Sequence, residues 1–451
     1  MKKQEESFLN ASDFGKDFTW GVSTAAYQIE GGHNTHGKGE SIWDRFRTKS
    51  NTILNGDKAT ISCDFFNKYK EDILLMKSMN INNFRFSISW PRILPNGIGE
   101  INNDGINFYN DVINFCLEQD ITPWVTVYHW DLPQTLEDNG GWTNRSIIEW
   151  FSEFVTVCAN SFGDRVKHWM VLNEPMVFTG AGYFLGVHAP GKKRLKNFLP
   201  AAHHAVLCQA QGGRILRRLV LNAQIGTTFS CSQITPFRKN KRDKATAIKV
   251  DALLNRLFIE PALGLGYPTE DAPILKKLKP YILTNDMENC RFNFDFIGIQ
   301  NYTREKVKYS LLVPYIRAKI VNASKRNVKT TLMDWEVYPP SIYHMIKKYS
   351  AYSEIKKIII TENGAAFEDH LKHENIEDKE RLNYLQKYLY QVLNAKREGL
   401  NIHGYFVWTF TDNFEWAEGY FPRFGLVYVD FKTLKRTIKA SGKWFSKFLS
   451  N

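Results

Sequence analysis

Eight short runs of apolar, β-branched and aromatic residues punctuate the chain, at 19–29, 83–90, 123–130, 168–173, 224–234, 295–302, 357–362 and 404–411. Each closes on polar or aromatic residues. Between them the apolar positions recur about every 3.6 residues, as in 65–79, 108–118, 147–162, 200–219 and 379–397, which predicts amphipathic helices. Strands alternating with helices predict a parallel sheet, and eight repeats predict that it closes on itself. The expected fold class is α/β: a single-domain (β/α)8 TIM barrel spanning residues 1–451, with long βα loops. Two less periodic pieces, 237–288 and 306–328, read as insertions in the barrel, because no linker rich in Pro, Gly or Ser marks a second domain.

Composition narrows this only a little. A chain of 451 residues with 43% hydrophobic and 24% charged residues is an ordinary globular protein. Aromatic residues reach 14%, and their faces suit the apolar side of a sugar ring. The net charge of +12 raises the question of a nucleic-acid partner. The densest basic run, 238–244, lies in a predicted loop without interleaved aromatics, so it reads as solvated surface. Cys63, Cys116, Cys158, Cys208, Cys231 and Cys290 are far apart with no C-x-x-C pair, which predicts reduced, buried thiols. Residues 1–7 lack the apolar stretch of a leader, and no run of about 18 apolar residues suggests a membrane span. The expected setting is cytoplasmic, with neither nucleic acid nor membrane as partner.

Function is carried by what stands at the ends of the apolar runs. V-L-N-E-P, ending at Pro175, and I-T-E-N-G, ending at Gly364, each set one glutamate, Glu174 and Glu362, just past a β-forming stretch. The C-terminal ends of barrel strands are where such enzymes keep their chemistry. Two carboxylates from opposite halves of the chain are what hydrolysis of a glycosidic bond requires. Asn173 stands beside Glu174, and the other runs deliver Gln28, Arg85, His129, Tyr302 and Trp408, followed by Glu415 and Trp416. None is specific alone, and His129 or the tryptophans could individually be core residues. A closed parallel barrel would bring all of them to one face. Two other signals carry no weight. Residues 32–38 fit most of a phosphate loop, but Gly39 stands where Ser or Thr is needed, and the adjacent His203 and His204 lack the spacing of a zinc site. No metal and no organic cofactor is expected.

At these positions the chain resembles glycoside hydrolase family 1, the β-glucosidase family, almost end to end. F-T-W-G-V-S-T-A-A-Y-Q-I-E-G, F-R-F-S-I-S-W-P-R, H-W-D-L-P-Q, L-N-E-P, D-F-I-G, W-E-V-Y-P, T-E-N-G and D-N-F-E-W-A-E-G-Y occur in the family's order and at its approximate spacing. The resemblance implies a retaining β-glycosidase acting on small β-D-glucosides, and also on galactosides or fucosides, through a covalent glycosyl-enzyme. It implies Glu174 as general acid/base and Glu362 as nucleophile, with Arg85 and Tyr302 holding the nucleophile. Two like charges about 5–5.5 Å apart cannot comfortably both ionise, which suits a pair in which one carboxyl keeps its proton. Gln28, His129, Glu415 and Trp416 match contacts to the sugar hydroxyls, and Asn173 the contact to the 2-OH. Trp408 matches the stacking floor and Trp335 the aromatic bordering the leaving-group site. One departure stands out. After D-F-I-G the family commonly shows N-Y-Y, whereas this chain has Gln300-Asn301-Tyr302.

Two alternatives compete with this reading. A 6-phospho-β-glycosidase carries a Ser…Lys…Tyr set after strand eight, where this chain has Asn413-Phe414-Glu415-Trp416, and Glu415 would repel a phosphate. A non-catalytic carbohydrate- or protein-binding barrel has no need of Glu174 and Glu362 together.

Overall fold

The computed structural model of the chain describes residues 9–372 and 375–450; segment 1–7, read above for a leader, lies outside them. Eight parallel strands close into a barrel: β1 (Thr19–Ser23), β2 (Asn83–Ser87), β3 (Thr122–Tyr128), β4 (His168–Asn173), β5 (Gln224–Ser230), β6 (Phe296–Gln300), β7 (Ile358–Asn363) and β8 (Ile402–Trp408). Closure is made by β1, which pairs with β2 on one side and β8 on the other. The helices surround it. Helix Ile147–Phe162 shows why: its buried residues are Ile147, Phe151, Phe154, Val155, Cys158, Ala159 and Phe162, the three-and-four spacing of one apolar stripe. All six cysteines are free and buried. Among the described residues no helix is long and apolar enough to cross a membrane.

Several expected strands are shorter than their apolar runs. β1 stops at Ser23, and Ala26–Ile29 form one helical turn whose Ala26 N–H donates to Ser87 Oγ at 2.8 Å, so Gln28 sits on a helix, not a strand. β2 stops at Ser87, and Trp90–Ile93 turn helical with Pro91 in the first turn, where a missing N–H costs nothing. The run 224–234 divides into β5 and a separate strand, Gln233–Pro236. Apolar residues continue past the strand ends because the loops over a barrel mouth are themselves buried. Of the insertions, 237–288 is largely helical. Strands Arg304–Tyr309 and Ala318–Ile320 join Gln233–Pro236 in a three-stranded sheet outside the barrel.

The barrel is a packed core. Trp124, Met170, Phe296, Ile359 and Phe406, from five strands, plug its interior. Above them Arg85 crosses the lumen, donating from Nε to Thr126 Oγ1 at 3.0 Å and contacting Met170 Sδ at 3.2 Å.

Strand register decides which side chains reach the mouth. Met170 and Ile359 point inward, so strict alternation would turn Asn173 and Glu362 outward. Both strands slip. The pairing of β4 with β5 shifts between Met170 and Asn173. The pairing of β7 shifts between Ile360 and Glu362 against β6, and between Ile360 and Asn363 against β8. Such irregularities re-aim a side chain, and here they bring Asn173 and Glu362 into the barrel.

Candidate active site

Glu362 is gripped from two sides. Arg85 Nη1 donates to its Oε1 at 2.5 Å, and the Tyr302 hydroxyl donates to its Oε2 at 2.6 Å. Burial pushes its carboxyl above the usual range, while Arg85, Tyr302 and Gln300 pull it back towards the ionised form.

Glu174 is treated differently. It follows β4 in the left-handed region, φ 46°, a conformation that β-carbon sterics disfavour; Pro175, which opens helix Pro175–Thr179, bars the ordinary helical one. Its N–H is held by Thr228 O at 2.9 Å. Burial and the charge on Glu362 push its carboxyl well above the usual range, with a hydrogen bond to Ser230 and the more distant Arg85 opposing weakly. Both carboxyls are pushed up, Glu174 further than Glu362, so Glu174 is the one that favours its proton.

Around the two carboxyls the polar side chains are locked. Asn173 Oδ1 accepts from Arg85 Nη2 at 2.7 Å and from Gln300 Nε2 at 2.8 Å, so its Nδ2 faces His129 Nε2 at 3.0 Å. Burial and the nearby Arg85 push His129 well below its ordinary value, keeping the ring neutral. Its Nε2 then accepts from Asn173, and Nδ1 carries the hydrogen. Gln28 Nε2 donates to Phe414 O at 2.9 Å, Asn413 Oδ1 at 3.1 Å and Glu415 Oε2 at 3.2 Å. Glu415 is pushed up to about 8, first by burial and then by the Glu362 charge, so near neutrality it is an acid that can both donate and accept.

Aromatic rings frame the cavity. Trp416 lies against Trp43 and Trp130, each at 4.6 Å between centroids, and stacks on His129 at 5.9 Å. Trp408 also stacks on His129, at 6.0 Å, and hydrogen bonds Glu415. Trp335 packs on Tyr302 at 5.1 Å. Three buried polar atoms at the site find no partner among the described residues: Gln28 Oε1, His129 Nδ1 and Gln300 Oε1. Burying such atoms unpaired is costly. Two acceptors and a donor left open among apolar rings suit a ligand with several hydroxyls.

The fold thus assembles Gln28, Arg85, His129, Asn173, Glu174, Tyr302, Glu362, Trp408, Glu415 and Trp416 in one cluster, with Trp335 at its edge. Gln300 and Trp130 were missed as site residues. Gln300 was visible only as a departure from the family pattern. Trp130, whose Nε1 donates to Asn173 O at 2.9 Å, was visible only as the neighbour of His129.

Comparison with known proteins gives a consistent picture. The family model described as Glycosyl hydrolase family 1 matches residues 10–451. A 1,4-beta-D-glucan glucohydrolase of Thermotoga neapolitana is 41% identical, over 97% of this chain and 98% of that protein. Beta-glucosidase 42 of Arabidopsis thaliana is 39% identical over 97% and 94%. A solved beta-glucosidase from Thermotoga maritima in complex with glucoimidazole superposes with a TM-score of 0.92 at 40% identity, covering 97% of this chain and 98% of that one.

Proposed function

The chain belongs to glycosyl hydrolase family 1 and is a retaining glycoside hydrolase of the β-glucosidase type; on that premise we propose that Glu362 is its nucleophile and Glu174 its general acid/base. The observation that carries the assignment is the unequal treatment of the two carboxyls. Glu362 has a cation and a phenol on its oxygens, and Glu174 has neither as a close partner.

The steps follow from that asymmetry. A β-glucoside enters with its glycosidic oxygen beside Glu174 and its anomeric carbon beside Glu362. The Glu362 carboxylate attacks the anomeric carbon while Glu174 transfers its proton to the departing oxygen, giving the free aglycone and a glycosyl ester on Glu362. Esterification removes the negative charge that held the Glu174 proton, so the Glu174 carboxyl now favours its ionised form. It takes a proton from water as the water oxygen attacks the anomeric carbon. The ester breaks, glucose leaves with the β configuration, and the starting proton arrangement returns. Arg85 and Tyr302 stabilise the carboxylate on arrival and on departure. Asn173 Nδ2 is aimed to bond the 2-OH, a contact that strengthens in the oxocarbenium-like transition state. Gln28, His129, Glu415 and Trp416 bind the remaining hydroxyls, Trp408 forms the floor, and Trp335 borders the aglycone.

Galactosides and fucosides are slower substrates of the same site, because changing one hydroxyl alters transition-state binding by only about 1–3 kcal/mol. Six buried free thiols support a cytoplasmic setting. The test is turnover of p-nitrophenyl β-D-glucoside, with galactoside, fucoside and 6-phosphoglucoside alongside, by wild type and Glu362→Ala. Activity on the neutral glucoside that vanishes in the variant supports the assignment. Activity that survives in Glu362→Ala overturns it.

A further inference from the structure

Counted against their counter-charges, the basic residues are not scattered. Residues 237–251 and 304–329 carry fourteen Lys and Arg against three Asp and Glu, a net +11 out of +12 for the whole chain. The fold gathers both segments into one body. The sheet of Gln233–Pro236, Arg304–Tyr309 and Ala318–Ile320 is covered on one face by helix Lys241–Asp251, through Ala247, Val250 and Val307. Arg238, Arg304, Arg326 and Lys329 are held by acids. Among the described residues Lys308 and Lys319 have no such acid, and they stand directly opposite each other on paired strands. Like charges in that position cost a sheet stability.

The hairpin between those strands ends in an apolar tip. Leu311, Leu312 and Tyr315 are 73%, 93% and 59% exposed, whereas Ile316 turns inward onto the sheet and helix. The tip is braced. Ser310 N–H donates to Arg317 O and Arg317 N–H to Val313 O, both at 3.0 Å, and Lys249 Nζ donates to Ile316 O at 3.1 Å. Phe237, Ile248 and Ile320 on the same body are also more than two-fifths exposed.

We propose that this body docks peripherally on an anionic lipid bilayer, with Leu311, Leu312 and Tyr315 entering the headgroup region and Lys308, Arg317 and Lys319 meeting its negative surface. An apolar tip needs an apolar host and a basic collar needs anions; an anionic bilayer offers both within a few ångströms. A second copy of this chain would bring like charge against like. A polynucleotide would satisfy the lysines and leave the leucines in water. Docking of this kind is distinct from spanning, and it revises the expectation of no membrane partner, which rested on the lack of a spanning run. The central strand of the sheet begins at Arg304, two residues past Tyr302, so the sheet sits on the side of the barrel that holds the two carboxyls.

The test is co-sedimentation of the full chain with vesicles of phosphatidylcholine alone and of phosphatidylcholine mixed with phosphatidylglycerol. Binding is expected to the mixed vesicles only and to be lost at about 0.5 M salt. Leu311→Ser/Leu312→Ser and Lys308→Gln/Lys319→Gln should each weaken it about tenfold or more, with turnover of a soluble aryl glucoside unchanged as evidence of folding. No sedimentation with the anionic vesicles overturns the proposal. Binding that the serine pair leaves unaltered also overturns it, and points to an acidic macromolecule as the occupant.

Discussion

Gln300 donates through Nε2 to Asn173 Oδ1 at 2.8 Å, and together with Arg85 it occupies that oxygen, so the Asn173 amide has one orientation only. Its Nδ2 must face His129 and the cavity. The residue that departs from the family's usual N-Y-Y therefore aims the group proposed to hold the sugar 2-OH. Gln300→Leu is expected to lower kcat/KM on a β-glucoside about 10–100-fold, the size of one buried hydrogen bond to a charge-developing centre. On the 2-deoxyglucoside the loss should be much smaller. Equal losses on the two substrates would assign Gln300 a general structural role instead.

Glu174→Ala removes the proton donor and leaves the nucleophile. On substrates with poor leaving groups the first step should slow by about 10²–10⁴, and on activated aryl glucosides far less. Deglycosylation loses its base, so azide should accelerate turnover and yield glucosyl azide. Absence of rescue, with both substrate kinds slowed alike, would count against Glu174.

The Glu174 carboxyl is held up by burial and then by the Glu362 charge. Since Glu174 must enter the reaction protonated, wild-type kcat/KM should fall as pH rises through its pKa. In Glu362→Gln the burial remains and the charge is gone, so Glu174 should titrate at lower pH. Carbon NMR of labelled glutamate in the inactive variant would measure it. An unchanged value would mean that the two carboxyls do not sense each other.

Glu415 links activity-site burial to stability. Its folded value of about 8 lies above the ordinary 4.5. Between those values the folded protein retains a proton that the unfolded chain releases, so stability is lost as pH rises from about 4.5 to about 8. Glu415→Gln removes that dependence. Thermal unfolding at pH 5 and pH 8 should differ less in the variant than in wild type, by at least about 1 kcal/mol. A difference of the same size in both proteins would show that Glu415 titrates normally.

Arg381 ties the loop after β7 to the C-terminal segment. It bonds Asp378 at 2.5 Å and Ala365 O at 3.1 Å, both buried, and Asp369 at 2.9 Å and Arg423 O at 2.5 Å, both part-buried. Arg381→Met would leave Asp369 to Lys439 alone and Asp378 to the Ser441 N–H and hydroxyl alone, and removing the guanidinium from such a buried cluster costs about 3–5 kcal/mol. Denaturant unfolding should register that loss, whereas a change under 1 kcal/mol would mean that solvent reaches the cluster.

Much of this was legible in the chain itself. Helices 147–162 and 379–397 run between the residues their periodicity predicts, because a one-sided apolar stripe is a local pattern that a helix alone can satisfy. The eight runs, their alternation with helices and the motif residues from Gln28 to Trp416 likewise fixed barrel class and chemistry before any geometry was known. The limits of the strands were less legible, since burial in a mouth loop looks the same in sequence as burial in a sheet.

What only the tertiary structure decided was where side chains point and which partners hold them. Alternation along β4 and β7 would send Asn173 and Glu362 out of the barrel; the slips against β5, β6 and β8 bring them in. Likewise, the upward shift of Glu174 depends on its burial and then on a charge carried 188 residues away, and the aim of Asn173 depends on Arg85 and Gln300 from two other strands. The sequence by itself determined which groups the site contains, because each is written into a local pattern. Register, orientation and ionisation were settled only by neighbours distant in the chain, through hydrogen bonds and electric fields that exist once the barrel has closed.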